Sequence, residues 1–224
     1  MMLKTAELFD LSHSLAGDYL ARCQWPWEAL EWIETFILKL GPTLPESDYE
    51  EREPHVWVHR TAKVAPTAFL GASCIIGPET EVRHCAFIRG SALVGAGCVV
   101  GNSAELKNVI LFDGVQTPHY NYVGDSILGY KSHMGAGSIT SNVKADRTLV
   151  VVKDGAETQP TGRKKFGAIL GDFVEIGCNS VLNPGTVVGP HSVVYPVCSV
   201  RGIVPPYHIY KGPDDIVPLE KKNA

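Results

Sequence analysis

No stretch of this sequence is long and apolar enough to cross a membrane; the longest, Trp32 to Leu40, is broken by Glu34 and Lys39. The opening residues, MMLKTAELFD, lack the pattern of a secretory signal, so a cytoplasmic address is expected. Positive charge is not in excess: 20 Lys and Arg stand against 24 Asp and Glu, a formal net charge of −4. That balance argues against a nucleic-acid or anionic-membrane partner. The six cysteines form no CxxC pair, so a zinc knuckle has no support and no metal is expected. What is present is ordinary globular chemistry: 224 residues, 45% hydrophobic, enough for one principal domain and a small appendage.

The informative feature is a period. From Val58 an apolar residue recurs at every sixth position: Val64, Leu70, Ile76, Val82, Ile88, Val94, Val100, Leu106, Phe112, Pro118. The fifth position is usually small, as at Ala62, Ala86, Cys98 and Ala104, so cysteines there read as compact core fillers. The series resumes at Leu170, Ile176, Leu182, Val188, Val194 and Val200. Neither a helical nor a heptad period explains a strict six. Three six-residue faces make one triangular coil, and stacked coils roughly 4.8 Å apart bury their cores against the neighbours above and below. Such hexapeptide repeats resemble the left-handed parallel β-helix; the handedness comes from that resemblance, because crossovers in general prefer the right hand. The expected class is therefore mainly β, with residues 54–204 forming the β-helix.

Residues 1–53 read as a helical cap and linker. Pro26 opens a helix that Gly41-Pro42 closes, with Trp27, Leu30, Ile33, Ile37 and Leu40 at helical spacing. An amphipathic stretch from Thr5 to Cys23 predicts a companion helix, and both are expected to cover the open end of the solenoid. Gly41 to Pro54 reads as a linker and residues 205–224 as a tail.

The register fails where function is expected. Five-residue steps separate Pro118 from Val123 and Val123 from Leu128, and residues 144–165 leave the coil as a loop or hairpin arm. These breaks flank TPHYNYVGDS, which carries His119 and Tyr122. Arg89 and Lys107 each follow an inward residue and lie eighteen residues apart, hence on adjacent rungs of one face. Stacked cations about 5 Å apart repel by about 1–3 kcal/mol. A bridging phosphate would convert that repulsion into charge-assisted binding. The alternative is pairing with Glu79, Glu81 or Glu105.

The motifs RGSALVGAGCVVGNSAELKN, TPHYNYVGDS, MGAGSITSN and GRKKFGAILGD resemble the C-terminal acetyltransferase domain of bifunctional N-acetylglucosamine-1-phosphate uridylyltransferases, and archaeal sugar-1-phosphate relatives more so. The resemblance implies a homotrimer that moves an acetyl group from acetyl-CoA, without metal, to glucosamine- or galactosamine-1-phosphate in nucleotide-sugar and cell-envelope biosynthesis. It makes His119 the general base and Arg89, Lys107, Tyr122, His133 and Lys165 the substrate ligands. It puts Ala136, Asn142, Val143, Cys178 and Lys211 against acetyl-CoA. Two residues depart from the pattern: His133 replaces an asparagine, and Val143 an aromatic. Residues 1–55 hold no glycine-rich nucleotide loop, so uridylyl transfer is not expected. Two alternatives stand beside this reading. One is a non-catalytic sugar-phosphate-binding β-helix related to the pyrophosphorylases; the other is a γ-carbonic-anhydrase-like hydratase using His84, His119 and His133. A trimer is also expected because Val109, Ile110 and Leu111 would leave an apolar face for a neighbour to cover.

Overall fold

A computed structural model describes residues 2–220. Short parallel strands wind into a left-handed β-helix of three faces. The first face stacks Val56–His59, Cys74–Ile76, Ala92–Val94, the later halves of Glu105–Leu111 and Tyr122–Leu128, then Ala168–Leu170, Thr186–Val188 and Ile203–Val204. The second runs from Lys63–Val64 through Gln116–His119 and His133–Met134 to His208–Gly212. The third stacks Phe69–Leu70 and Phe87–Ile88 on the first halves of Glu105–Leu111 and Tyr122–Leu128, then Ile139–Thr140, Val181–Leu182 and Ser199–Val200.

From Ser73 to Ser103 each corner turns through one residue of positive φ: Ser73, Glu79, Cys85, Ser91, Gly97 and Ser103 follow one another at six-residue spacing. Left-handed backbone costs a side chain free energy, so stacking of the coils must hold these corners in place. The next corner, Asn108, comes after five residues, and so does Asp125 after Tyr120. The inward residues are accordingly Leu111 and Thr117, aligned with Val94 and Val100. This corrects the sequence register. Phe112 and Pro118 are each one place late, and the shortened steps are Leu106 to Leu111 and Val123 to Leu128. Phe112 misled the count because it is apolar and fully buried, but it packs against Phe9, with ring centroids 4.9 Å apart.

The N-terminal segment departs further from expectation. It holds short helices at Thr5–Leu8 and Gly17–Leu20, a 3-10 turn at Pro26–Glu31 and a helix at Ile33–Leu40, rather than two long helices. Nor does it cover the open end. It runs along the first face: Leu8 accepts from the Asp172 amide, His13 from that of Asp113, and Leu30 from Asn108 Nδ2. Asp10 N–H donates to the Asp172 carboxylate at 2.6 Å, and burial holds that carboxyl above its ordinary pKa. The segment covers Ile75, Leu93, Ile110 and Ile127, which face outward on that side and are at most 1% exposed. Val109, Ile110 and Leu111 are thus buried by their own chain, and the apolar face that pointed to a trimer is already occupied.

The stretch read as a linker contains the strand Tyr49–Glu53, antiparallel to Val56–His59. The residues read as a tail continue the coil through His208–Gly212, which pairs with Val193–Val194 and turns back as Asp215–Pro218; the last four residues lie outside the described ones. The arm carries a hairpin, Val151–Asp154 against Glu157–Pro160. It lies along the lower corner, where Gly185 and Gly202, both at positive φ, let its backbone approach; a Cβ on either would meet Val150–Val151 or the Lys153 carbonyl within 3 Å.

Candidate active site

The third face carries two outward columns. One runs Phe69, Phe87, Glu105, Tyr122 by strand pairing, and the other places Arg89 above Lys107 and Gly124. Arg89 and Lys107 stand on adjacent rungs, yet each already has a carboxylate. Arg89 Nη1 lies 2.9 Å from Glu105 Oε1, and Lys107 Nζ lies 3.0 Å from Asp125 Oδ1. The repulsion that suggested an anion between them is therefore relieved within the chain. For Arg89 the partner is one the sequence offered; for Lys107 it is Asp125, which the sequence reading missed.

The two pairs differ in weight. The Arg89 pair is exposed, so solvent screening leaves it little weight. Asp125 is 3% exposed and accepts also from Asn108 Nδ2 at 2.9 Å and Asn142 Nδ2 at 2.6 Å. Removing a partner there would leave a buried charge short of donors, a costlier change. Asp125 thus fixes Lys107 and Asn142 relative to the N-terminal segment, because Asn108 also donates to Leu30. The shortened corner made it hard to find: at six-residue spacing Asp125 does not fall on the corner that Asn108 occupies.

Tyr122 lies across Gly124. A Cβ on that glycine would come within 2.5 Å of the Tyr122 hydroxyl, which accepts from Asn142 Nδ2 at 3.1 Å. Burial, then the Asp125 and Glu105 carboxylates, push the tyrosine's pKa upward, so the hydroxyl keeps its proton. Beyond Lys107, a cavity of about 490 Å³ is lined by Asp125 and Asn108 on the coil, Glu31 and Glu34 from the N-terminal segment, and Arg163, Lys164 and Lys165 from the base of the arm. Lys165 therefore joins Lys107, with two neighbouring cations that the sequence reading did not single out.

His119 stands at the edge between the second and third faces. Its N–H donates to Asn121 Oδ1 at 3.1 Å and its carbonyl accepts from Gly137, so its backbone is fixed while its ring is exposed. The same edge carries Ala136 and Cys178 on the rungs below, linked by hydrogen bonds from the Gly137 N–H to the His119 carbonyl and from the Asn179 N–H to the Ala136 carbonyl. Lys211 lies lower still, its ammonium 5.7 Å from the Tyr195 ring. Three of the residues matched to acetyl-CoA therefore descend one edge from His119.

Two assignments fall elsewhere. His133 is on the second face, its Nδ1 2.8 Å from Glu175, in a concavity with Gln116 and Lys131. Val143 lines a separate cavity of about 580 Å³ between the arm and the lower third face, with Lys153 and Arg201. His84 bonds Thr67 through Nδ1, and among the described residues no group of three His, Cys, Asp or Glu side chains is placed to hold a metal within one chain.

Comparison with known proteins bears on this arrangement. The chain is 35% identical over 118 residues to the bifunctional protein GlmU of Methanococcus maripaludis, covering 52% of this chain and 28% of that one. It is 33% identical over 90 residues to the bifunctional sugar-1-phosphate nucleotidylyltransferase/acetyltransferase of Sulfurisphaera tokodaii, covering 40% and 22%. It thus corresponds to about a quarter of the length of these relatives. Among solved structures, the acetyltransferase domain of PglB from Neisseria gonorrhoeae, in complex with acetyl coenzyme A, aligns with TM-score 0.41 and 18% identity over 75% of this chain and 58% of that one. Residues 81–204 match the GMPPB C-terminal domain, a span that contains every candidate site residue but Lys211, and the chain belongs to that family.

Proposed function

We propose that the protein transfers an acetyl group from acetyl-CoA to the amine of an amino sugar phosphorylated at its anomeric carbon, glucosamine- or galactosamine-1-phosphate being the simplest acceptors. The observation that carries this reading is the shared edge: His119 stands directly above Ala136 and Cys178, beside the face that bears Tyr122, Lys107 and Arg89. In this reading Arg89, Lys107 and Lys165 hold the phosphate. Arginine has five donors, and Arg89 directs only one hydrogen bond at Glu105, so it retains capacity for an anion. The acceptor nitrogen attacks the thioester carbonyl, and neutral His119 takes the amine proton. An N–H at Ala136 stabilises the oxyanion, the larger contribution where donors are preorganised. The thiolate of coenzyme A then leaves and is protonated. Asn142, Val143, Cys178 and Lys211 are proposed contacts of the co-substrate.

Release of free thiol from acetyl-CoA, measured with each 1-phosphate, tests the reaction. Turnover that needs both the amine and the phosphate is expected; no thiol release with any amino-sugar phosphate would leave a binding protein only. We also propose a homotrimer, with each site completed by a neighbour across the second and third faces, since the first face is covered. Light scattering at micromolar concentration should give a trimer mass, and a stable monomer would refute the shared site.

A further inference from the structure

The corner between the third and first faces carries a polar stack that packing alone does not require. Ser91, Asn108, Asp125 and Asn142 follow one another at seventeen-residue spacing, one to a rung. Asp125 Oδ1 accepts from Asn108 Nδ2 at 2.9 Å and from Lys107 Nζ at 3.0 Å. Its Oδ2 accepts from Asn142 Nδ2 at 2.6 Å and from Lys107 Nζ at 3.2 Å. The returning arm closes over this corner, the Gly167 N–H donating to the Asp125 carbonyl and the Phe166 N–H to that of Asn142. Burying a carboxylate is a poor way to stabilise a fold, since well-packed neutral groups serve as well or better. Two rungs above, the same corner turns on Ser91 with no charge at all.

What the charge does follows from counting donors and acceptors. A carboxylate only accepts, so it dictates which end of the Asn142 amide faces it. Both protons of Asn142 Nδ2 are then taken, one by Asp125 and the other by the Tyr122 hydroxyl oxygen at 3.1 Å. Asn142 Oδ1 is left as an acceptor with no partner among the described residues. The Tyr122 hydroxyl, having accepted, has its proton to give, and burial, then the Asp125 and Glu105 carboxylates, keep that proton on. Were the charge absent, Asn142 could turn over, and Tyr122 could spend its proton on Asn142 Oδ1 instead.

We infer that Asp125 is a positioning residue that fixes the polarity of the site, so that Tyr122 donates to the ligand, Asn142 accepts from it, and Lys107 keeps an N–H for an anion. The bound groups must be complementary: an oxygen acceptor at Tyr122 and an N–H or O–H donor at Asn142. A sugar phosphate beside an amide N–H of acetyl-CoA supplies both, and for that identity the inference rests on the acetyl-transfer reading. The direction of the hydrogen bonds does not, because it is set by the carboxylate alone. The N-terminal segment is tied into the same arrangement, since the second proton of Asn108 Nδ2 goes to the Leu30 carbonyl at 3.0 Å.

Asp125→Asn in the full chain tests the proposal. The kcat for acetyl transfer should fall about 10- to 150-fold, the worth of one hydrogen bond to a charged group. KM for the amino-sugar 1-phosphate should stay level or drop, because Lys107 is released from its carboxylate; a merely structural role would raise KM as kcat falls. In a Tyr122→Phe background the same change should cost kcat far less, since residues that act through one another are not additive. If Asp125→Asn does not fold, Asp125→Ser repeats the comparison without setting an amide donor against the two asparagines. Full additivity with Tyr122→Phe, or a raised KM, overturns the proposal. The orientation is also read without turnover, from the side-chain amide resonances of Asn142, which should shift and lose protection in either variant. Unmoved Asn142 resonances would overturn the proposal whatever the reaction. Resonances that move as expected, in a chain that releases no thiol from acetyl-CoA, would sink the acetyl-transfer reading alone.

Discussion

Replacing His119 by Ala is expected to lower kcat for acetyl transfer by about 10²–10⁴, the usual contribution of a positioned general base. The same change should leave acceptor affinity and melting temperature nearly as they are. Its ring is exposed, so the fold loses little when it is removed, and surface substitutions of this kind stay within about 0.5 kcal/mol. Its backbone is held by Asn121 and Gly137 whatever the side chain. The proposed phosphate ligands lie elsewhere, on the third face and at the base of the arm, so KM for the acceptor should change far less than kcat, the pattern of an interaction made in the transition state. The informative control is His133→Ala. Among the described residues His133, unlike His119, has a carboxylate on Nδ1 that fixes its tautomer. It faces another side of the prism, among Gln116, Lys131 and Glu175, away from the column that leads to Cys178. Near-native turnover in His119→Ala, or complete loss in His133→Ala alone, would move the base to the His133–Glu175 pair.

The period of six carried most of the fold, because each inward residue packs only against the rungs above and below and so must recur in the sequence. It failed at Phe112 for a reason local to the molecule. A corner shortened by one residue shifts the count, and a neighbouring aromatic that packs outward on Phe9 hides the shift. The side chains proposed for the site were marked in the sequence by a motif or a spacing, as at Arg89, Lys107, His119 and Tyr122. Asp125 was not, since it shares a corner with Asn108 only after the shortened step is known. Glu31, Glu34, Arg163 and Lys164 were illegible for a different reason: they reach the site from segments without a period, whose path over the coil no repeat encodes. The same holds for the first face. Val109, Ile110 and Leu111 read as part of a surface awaiting a partner, and what covers the outward Ile75, Leu93, Ile110 and Ile127 of that face is the chain's own first forty-odd residues.

That docking makes a second large effect measurable at Trp27. Its indole is 2% exposed, parallel to Trp25 at 5.3 Å and inclined to Phe166 at 5.9 Å, so it joins the N-terminal segment to the base of the arm. Trp27→Ala removes the largest buried side chain of the segment and should cost about 3–5 kcal/mol, the range for truncating a buried aromatic and leaving a cavity. The melting temperature should fall by about 6–20 °C, at about 2–4 °C per kcal/mol for a chain of this length. The loss should also be regional. Hydrogen exchange should quicken first in Pro26–Leu40 and in the arm on either side of Phe166, while the inward ladder of the coil stays protected. Because Lys165 directly precedes Phe166, the acceptor's KM should rise in this variant more than kcat falls. An unchanged melting temperature would mean that the segment docks without Trp27. Loss of protection spread evenly over the coil would mean instead that segment and coil unfold as one unit, and that the first face has no stability of its own once uncovered.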